Sequence, residues 1–125
     1  MSVFAPSTDT WSQPFYEGLA QGELRYCVCA ACSRALPYGA RVCRYCDSAG
    51  IAWRPAAGAG RLCAWVTYRR GFAPEFPPPY RVAMVELQEG VRLLLPWQGG
   101  AEDPLRQGAP VRVTVESGRA SAHLA

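Results

Sequence analysis

The sequence predicts a mostly β protein with a short N-terminal helix, a cysteine ribbon and a five-stranded barrel of the OB-fold type. Three observations support this. The 11 prolines and 12 glycines of the 125 residues are scattered, which favours short elements joined by turns over long helices. Four of the six cysteines form two close pairs in the first half. The second half carries five short runs with strand-like alternation, and five strands in so short a segment are typical of an OB-fold.

The chain divides into three expected parts. They are 1–23 (tail and helix), 24–56 (cysteine ribbon) and 57–125 (barrel), with small residues at 55–60 linking the last two. A hydrophobic fraction of 50% and a charged fraction of 18% exclude a disordered chain. There is no apolar run long enough to cross a bilayer and no secretory signal at the start. We therefore expect a cytoplasmic protein that does not bind membranes.

The N-terminal helix is predicted over 11–21. Ser12 is its expected cap, Pro14 is tolerated in the first turn, and Gly22 is the expected stop. Its apolar stripe consists of Phe15, Tyr16 and Leu19. Because a helix this short is marginal alone, the stripe docks either on its own domain or on a partner protein.

Alternating apolar residues predict the strands of the barrel. The five runs are 61–68, 80–87, 91–96, 111–116 and 120–124. Glu89-Gly90 and Ser117-Gly118 are tight hairpin signals between consecutive runs. In the first run, alternation predicts one shared face for Leu62, Ala64, Val66 and Tyr68.

The cysteine spacing indicates a metal site. Two C-x-x-C pairs, ten residues apart, provide Cys29, Cys32, Cys43 and Cys46. Two such pairs aim four thiolates at one point, and a soft divalent ion, zinc above all, completes a tetrahedron there. Four thiolates leave no open position, so the site is structural. Iron in a rubredoxin-like setting and a redox dithiol are the alternatives.

The remaining reactive side chains do not assemble into a catalytic set. Cys27 is expected to be a strand residue beside the metal site, and Cys63 a buried small apolar residue in a strand. His123, the single histidine, is expected at the surface. All 13 basic residues are arginine, which excludes lysine-based covalent catalysis and suits carboxylates and phosphates. We therefore expect that the chain is not an enzyme.

Four segments together resemble a known family. They are 14–19 (P-F-Y-E-G-L), the four-cysteine ribbon, 79–93 (P-Y-R-V-A-M-V-E-L-Q-E-G-V-R-L) and 108–113 (G-A-P-V-R-V). In this order they resemble the zinc-ribbon/OB-fold family of acyl-CoA-associated proteins, long catalogued as a domain of unknown function. The resemblance spans about residues 11–117. Ser33 departs from it, because glycine is usual after the first cysteine pair.

The resemblance implies a fold and a role. Family members have an N-terminal helical segment, a rubredoxin-like zinc ribbon and an OB-fold, and the four cysteines match the ligand positions. They accompany thiolase-fold enzymes, including synthases and steroid side-chain aldolases, and bind or channel the CoA part of an acyl-CoA. The chain is thus expected to be a non-catalytic subunit of a hetero-oligomer that makes or breaks a carbon–carbon bond.

Binding of CoA requires cations for its phosphates and a flat or apolar surface for its adenine. OB-folds bind ligands on the strand 2–3 face and in the adjoining loops. The candidate contacts there are Arg69, Arg70, Phe72, Phe76, Arg81, Arg92 and Trp97. Each arginine is alternatively a solvated surface charge, and each phenylalanine alternatively packs on the barrel or meets a partner protein.

Two other function classes compete. OB-folds and zinc ribbons also bind single-stranded nucleic acid, which needs a basic groove with stacking aromatic residues. Here the second strand and the turn after it carry Glu86 and Glu89, and the net charge is only +3, so this alternative is disfavoured. An independent enzyme is the third class, and activity of the isolated chain would be its signature.

Overall fold

A computed structural model describes residues 12–70 and 77–125. One helix and eight strands follow each other in these residues. They are α1 (Gln13–Ala20), β1 (Arg25–Cys29), β2 (Ala35–Leu36), β3 (Ile51–Pro55), β4 (Ala59–Tyr68), β5 (Tyr80–Leu87), β6 (Arg92–Pro96), β7 (Pro110–Glu116) and β8 (Arg119–Leu124). The mostly β class predicted from the sequence is confirmed.

Helix α1 ends where the sequence predicts. Gly22 adopts a φ of 79°, and Gly22 and Glu23 donate their backbone N–H groups to the carbonyls of Leu19 and Gly18, which is the glycine-terminated Schellman motif. Ser12 precedes the helix, but its side chain makes no capping hydrogen bond, so the predicted cap is wrong in that detail. Trp11, the predicted first residue, lies outside the described residues.

The apolar stripe of α1 docks on the chain itself. The side chains of Phe15 and Leu19 are fully buried and Tyr16 packs beside them. The Phe15 ring meets Tyr38 and Trp53 of the ribbon edge-on or tilted, with centroids 5.0 and 6.2 Å away. Of the two alternatives for the stripe, packing on its own domain is the one observed.

The five predicted barrel strands are all present and form one sheet in the order β6-β5-β4-β7-β8. Neighbouring strands pair antiparallel. A parallel bridge between Trp97 and Ala122 joins the two ends of the sheet, and Gln98 donates its N–H to the Ala122 carbonyl at 2.7 Å. The sheet is thus closed into a barrel.

The first barrel strand contradicts one prediction. A bulge at Cys63 shifts the register of β4 against β5, so Leu62 faces Val85 while Ala64 faces Met84. An extra residue in one strand turns the following side chains to the opposite face. Leu62 is buried inside the barrel, but Ala64, Val66 and Tyr68 point outward and are exposed. The four residues therefore do not share one face.

Two apolar clusters fill the described part of the molecule. The larger one lies inside the barrel and extends to α1 through Phe15, Leu19 and Leu24. The smaller lies in the ribbon and consists of Cys27, Cys29, Leu36 and Cys43. Trp53 on β3 packs against both clusters and so connects them. Within the described residues, no helix is long and apolar enough to cross a membrane.

Candidate metal centre and arginine clusters

The two cysteine pairs fold into matching turns. In the first turn, the backbone N–H of Cys29 donates to the Arg34 carbonyl, and the Cys29 carbonyl accepts a hydrogen bond from the N–H of Ser33. In the second, Cys43 makes the equivalent bonds with Ser48 and Asp47. Because the backbone bonds recur at the same spacing, each turn presents two thiol groups in the same orientation, and the two turns face each other.

The four sulfur atoms have the geometry of a tetrahedral ion site. The Sγ atoms of Cys29, Cys32, Cys43 and Cys46 all lie within 4.8 Å of one another. Two of the distances are 3.5 Å (Cys29 to Cys46) and 3.7 Å (Cys32 to Cys43). Zinc–sulfur bonds of about 2.3 Å place tetrahedral ligands about 3.8 Å apart. The cluster therefore fits a structural zinc ion.

The electrostatics of the cluster favour a cation. A hydrogen bond from the backbone N–H of Cys32 lowers the pKa of the Cys29 thiol to about 6. A backbone hydrogen bond at Ser48 acts to lower the pKa of the Cys46 thiol, but the neighbouring Cys29, burial and the other two cysteines of the cluster together outweigh it and raise that pKa to about 12. The two shifts oppose the joint ionisation of Cys29 and Cys46 without a cation, and a divalent ion removes this conflict.

Each turn contains one residue with a strained backbone, and the two residues occupy equivalent positions. Ser33 has a φ of 65° and Asp47 a φ of 62°, a left-handed conformation that favours glycine. This explains why glycine is usual after the first cysteine pair in the family that the sequence resembles. Ser33 departs from that pattern and is therefore strained. Both residues are exposed, so no packing requires their side chains.

The other reactive residues stay outside the cluster. Cys27 is buried in β1 beside the site, and burial raises the pKa of its thiol. Cys63 occupies the bulge and is half exposed, so its predicted burial is wrong, because the bulge takes it out of the alternation. His123 lies partly exposed on β8 with Nδ1 2.9 Å from the Leu124 carbonyl oxygen.

One group of arginines lies at the end of β4. Arg69 forms an ion pair with Glu102 at 3.1 Å, and both side chains are largely exposed. Arg70 beside it is exposed. Arg81 is held more firmly, since it donates to the Thr67 hydroxyl at 3.2 Å and to the Asp103 carbonyl at 2.6 Å. Its guanidinium thus ties the loop after β6 to β4.

Arg92 lies at the other end of the strands. Arg92 pairs with Glu86 of β5, whereas Arg81 of β5 pairs with Thr67 of β4. Positions 81 and 86 are five residues apart along β5, which corresponds to about 17 Å. The sequence-predicted contacts are therefore not one cluster. Trp97 is 9% exposed and belongs to the barrel core, and Phe72 and Phe76 lie outside the described residues.

A groove between the ribbon and the barrel brings new residues beside Arg92. It has a volume of about 470 Å³ and is lined by both parts of the chain. Arg44 and Tyr45, between the last two cysteines of the cluster, lie on one wall, and Glu86 and Arg92 on the other. The guanidinium of Arg34 lies 4.6 Å from the Tyr45 ring centre. Sequence reasoning missed these residues because only the fold joins them to Arg92.

Known proteins resemble this chain along most of its length. The family described as the ChsH2 C-terminal OB-fold domain matches residues 53–116. A chain of the Ltp2-ChsH2(DUF35) aldolase structure superposes with a TM-score of 0.84 and 27% identity, covering 96% of this chain and 98% of the other. These findings confirm the family resemblance that the sequence indicates.

Two further comparisons are more limited. A DUF35-family protein of unknown function from Sulfolobus solfataricus shares the fold, with a TM-score of 0.63 and 17% identity over 94% of this chain and 85% of that one. A probable enoyl-CoA hydratase alpha subunit from Thermomonospora curvata is 34% identical over 97 residues. That match covers 78% of this chain and 30% of the relative, so the chain spans about a third of the relative's length.

Proposed function

Since the chain belongs to the family of ChsH2 C-terminal OB-fold domains, we propose that it is a non-catalytic accessory subunit of an acyl-CoA enzyme. It holds the CoA part of the substrate and supports a thiolase-fold partner that makes or breaks a carbon–carbon bond beside the thioester. The observation that carries this proposal is the match to the Ltp2-ChsH2(DUF35) aldolase chain over nearly its full length.

The names of the relatives support two parts of the proposal, the carbon–carbon bond chemistry and the CoA substrate. One is described as an aldolase with a DUF35 component, and aldolases act on carbon–carbon bonds. The other is described as a hydratase subunit for enoyl-CoA, which is a CoA thioester. A structural, closed metal site and a single histidine bonded to a neighbouring carbonyl agree with a chain that leaves the chemistry to its partner.

The arginines supply the chemistry that CoA requires. Guanidinium groups bind phosphates through paired hydrogen bonds, and CoA carries a diphosphate and a 3′-phosphate. We assign the phosphates to one of two places: the exposed Arg69 and Arg70, or the ribbon–barrel groove with Arg44 and Arg92. The groove offers the Tyr45 side chain, 47% exposed, beside its cations, which favours it for the adenosine end.

A calorimetric titration with CoA tests the proposal and separates the two places. The complex of this chain with its proposed thiolase-fold partner is titrated as wild type, as Arg69→Ala/Arg70→Ala and as Arg44→Ala/Arg92→Ala. We expect the groove variant to weaken CoA binding at least tenfold and Arg119→Ala, an exposed arginine of β8, to leave it unchanged.

Three outcomes would contradict the proposal. If neither double variant changes the affinity, the arginines are ordinary surface charges and the CoA assignment is wrong. If a single-stranded oligonucleotide binds more tightly than CoA, with an affinity that falls steeply with salt, the nucleic-acid alternative replaces it. Turnover of an acyl-CoA by the isolated chain would contradict its non-catalytic role.

A further inference from the structure

The bulge at Cys63 creates an apolar surface on the outside of the barrel. Opposing residues of neighbouring antiparallel strands share a face, so the register of β4, β5 and β6 fixes two rows across the three strands. We call this the outer sheet face and define it by Ala64, Met84 and Leu94 in one row and Val66, Val82 and Pro96 in the next.

The outer sheet face leaves large apolar side chains open to solvent. Val66 is 55% exposed and Leu94 is 44% exposed, whereas Ala83 and Val85 on the inner face are fully buried. Single exposed apolar residues are ordinary in proteins. Here Val82 is buried at 7% exposure, but the other five residues of the two rows are exposed or partly exposed around it. They form a continuous patch, and such patches on a monomer are often functional.

Arginines frame this patch at both ends of the strands. At one end, the next row along the strands consists of Arg61, Glu86 and Arg92. At the other end, Arg69 and Arg70 follow β4 directly. The only carboxylates paired with these four arginines in the described residues are Glu86 and Glu102, so the frame keeps an excess of positive charge.

The charge arrangement selects the kind of occupant. A protein surface with an apolar centre and carboxylates at its two ends matches the frame, since arginine pairs bidentately with carboxylates and is enriched at protein interfaces. A second copy of this chain does not match, because a two-fold arrangement of the same patch brings arginine ends against arginine ends. The face therefore fits a different protein.

We propose that the outer sheet face is the docking surface for the catalytic partner, and that the partner presents an apolar patch with acidic ends to it. This inference rests on the proposed function and adds where the partner binds and what its surface must contain. Three strands lie only about 4.8 Å apart, so the patch alone is smaller than the area of about 800 Å² that a standard interface buries on each partner. The patch therefore forms the apolar centre of the interface, and Arg61, Arg69 and Arg70 form its rim, while Arg92 also borders the groove favoured for CoA.

Charged substitutions at the centre of the patch test this directly. The chain is co-expressed with its proposed thiolase-fold partner, and the dissociation constant of the complex is measured for wild type, Val66→Glu and Leu94→Glu. We expect each variant to weaken the complex at least thirtyfold, because a carboxylate is buried against an apolar and acidic surface. Val42→Glu is the matched control, since Val42 is 51% exposed on the ribbon.

A charge reversal at the rim tests the acidic ends of the partner. Arg61→Glu is expected to weaken the complex at least fivefold at low salt and to reduce the salt dependence of the affinity. Arg119→Glu, at the start of β8, is its control and leaves both unchanged. All variants must retain the wild-type metal content and melting temperature, which excludes unfolding as the cause.

The outcomes separate this inference from the proposed function. If the wild-type complex forms and Val66→Glu and Leu94→Glu bind as tightly as wild type, the docking surface is wrong while the accessory role stands. If the wild-type chain forms no complex, both fail. If the isolated chain is a dimer that Val66→Glu converts to a monomer, the occupant is a second copy and the inference is overturned.

Discussion

The ribbon and the barrel are stabilised in different ways within one chain. The ribbon buries only Cys27, Cys29, Leu36 and Cys43 as its own cluster, and three of these lie beside or within the metal site. The barrel buries a much larger apolar set drawn from all five of its strands. A core as small as that of the ribbon does not offset the conformational entropy of folding. We therefore expect the ribbon to depend on a bound ion and the barrel on its apolar side chains.

Metal removal is expected to have the largest effect. Binding of zinc to ribbon-type sites contributes roughly 10–16 kcal/mol in isolated peptides, more than the stability of a typical domain. Chelation is therefore expected to unfold β1 to β3 while β4 to β8 keep their amide protection, which hydrogen exchange measures for each strand.

Matched cysteine variants control for the chelator. Cys43→Ser removes a ligand and is expected to have the same effect as chelation, whereas Cys63→Ser, at the bulge of β4, is expected to leave the metal content unchanged. A chelated protein with unchanged circular dichroism and unchanged protease cleavage would show that the ribbon does not depend on the ion.

Truncation of the barrel core is expected to have the next largest effect. Leu95 on β6 is fully buried, and Leu→Ala changes at such positions cost about 2–5 kcal/mol. Urea unfolding of Leu95→Ala should show this loss, with a metal content equal to wild type. Val42→Ala on the exposed ribbon surface is the control. Loss of the metal in Leu95→Ala would mean that the two regions are not independent in the way described.

A methyl group at Gly60 is expected to strain the barrel. Gly60 pairs with Leu87 on one side and Val111 on the other, and a Cβ there would collide with the backbone carbonyl oxygen of Glu86. Overpacking of this kind costs roughly 1–3 kcal/mol. Thermal melting of Gly60→Ala should show it, and Gly50→Ala, where a Cβ meets only ordinary contacts, should not.

Relief of backbone strain in the ribbon is expected to have the smallest effect and the opposite sign. Ser33 has a positive φ that costs a non-glycine residue about 1 kcal/mol. Ser33→Gly is therefore expected to stabilise the metal-bound ribbon by up to about 1 kcal/mol, measured as resistance to metal loss in denaturant. Ser33→Ala keeps the strain and serves as the control; equal effects of both variants would refute the explanation.

Local sequence signals predict much of this architecture. The cysteine spacing identified the four clustered sulfur atoms, since C-x-x-C turns are local and their ligand chemistry is specific. Alternation located all five barrel strands, and Gly90 and Gly118 marked hairpins where the structure has positive φ angles. Gly22 likewise ended the helix, because a left-handed residue after the last turn is a local requirement.

Features that depend on tertiary pairing were not visible in the sequence. The bulge at Cys63 has no sequence signature of its own, and it reversed the faces of the rest of β4. The sequence suggested Trp97 as a contact for the adenine base of CoA, but Trp97 is buried where its bridge to Ala122 closes the barrel. Arg44 and Arg92 line the same groove although they are far apart in the chain.

Native mass spectrometry of the co-expressed complex tests the central claim most directly. This chain and its proposed thiolase-fold partner are purified together without a chelator, and the mass of the intact assembly and of its bound ions is determined. We expect a hetero-oligomer with one zinc ion for each copy of this chain. Recovery of this chain alone, free of metal, would contradict it.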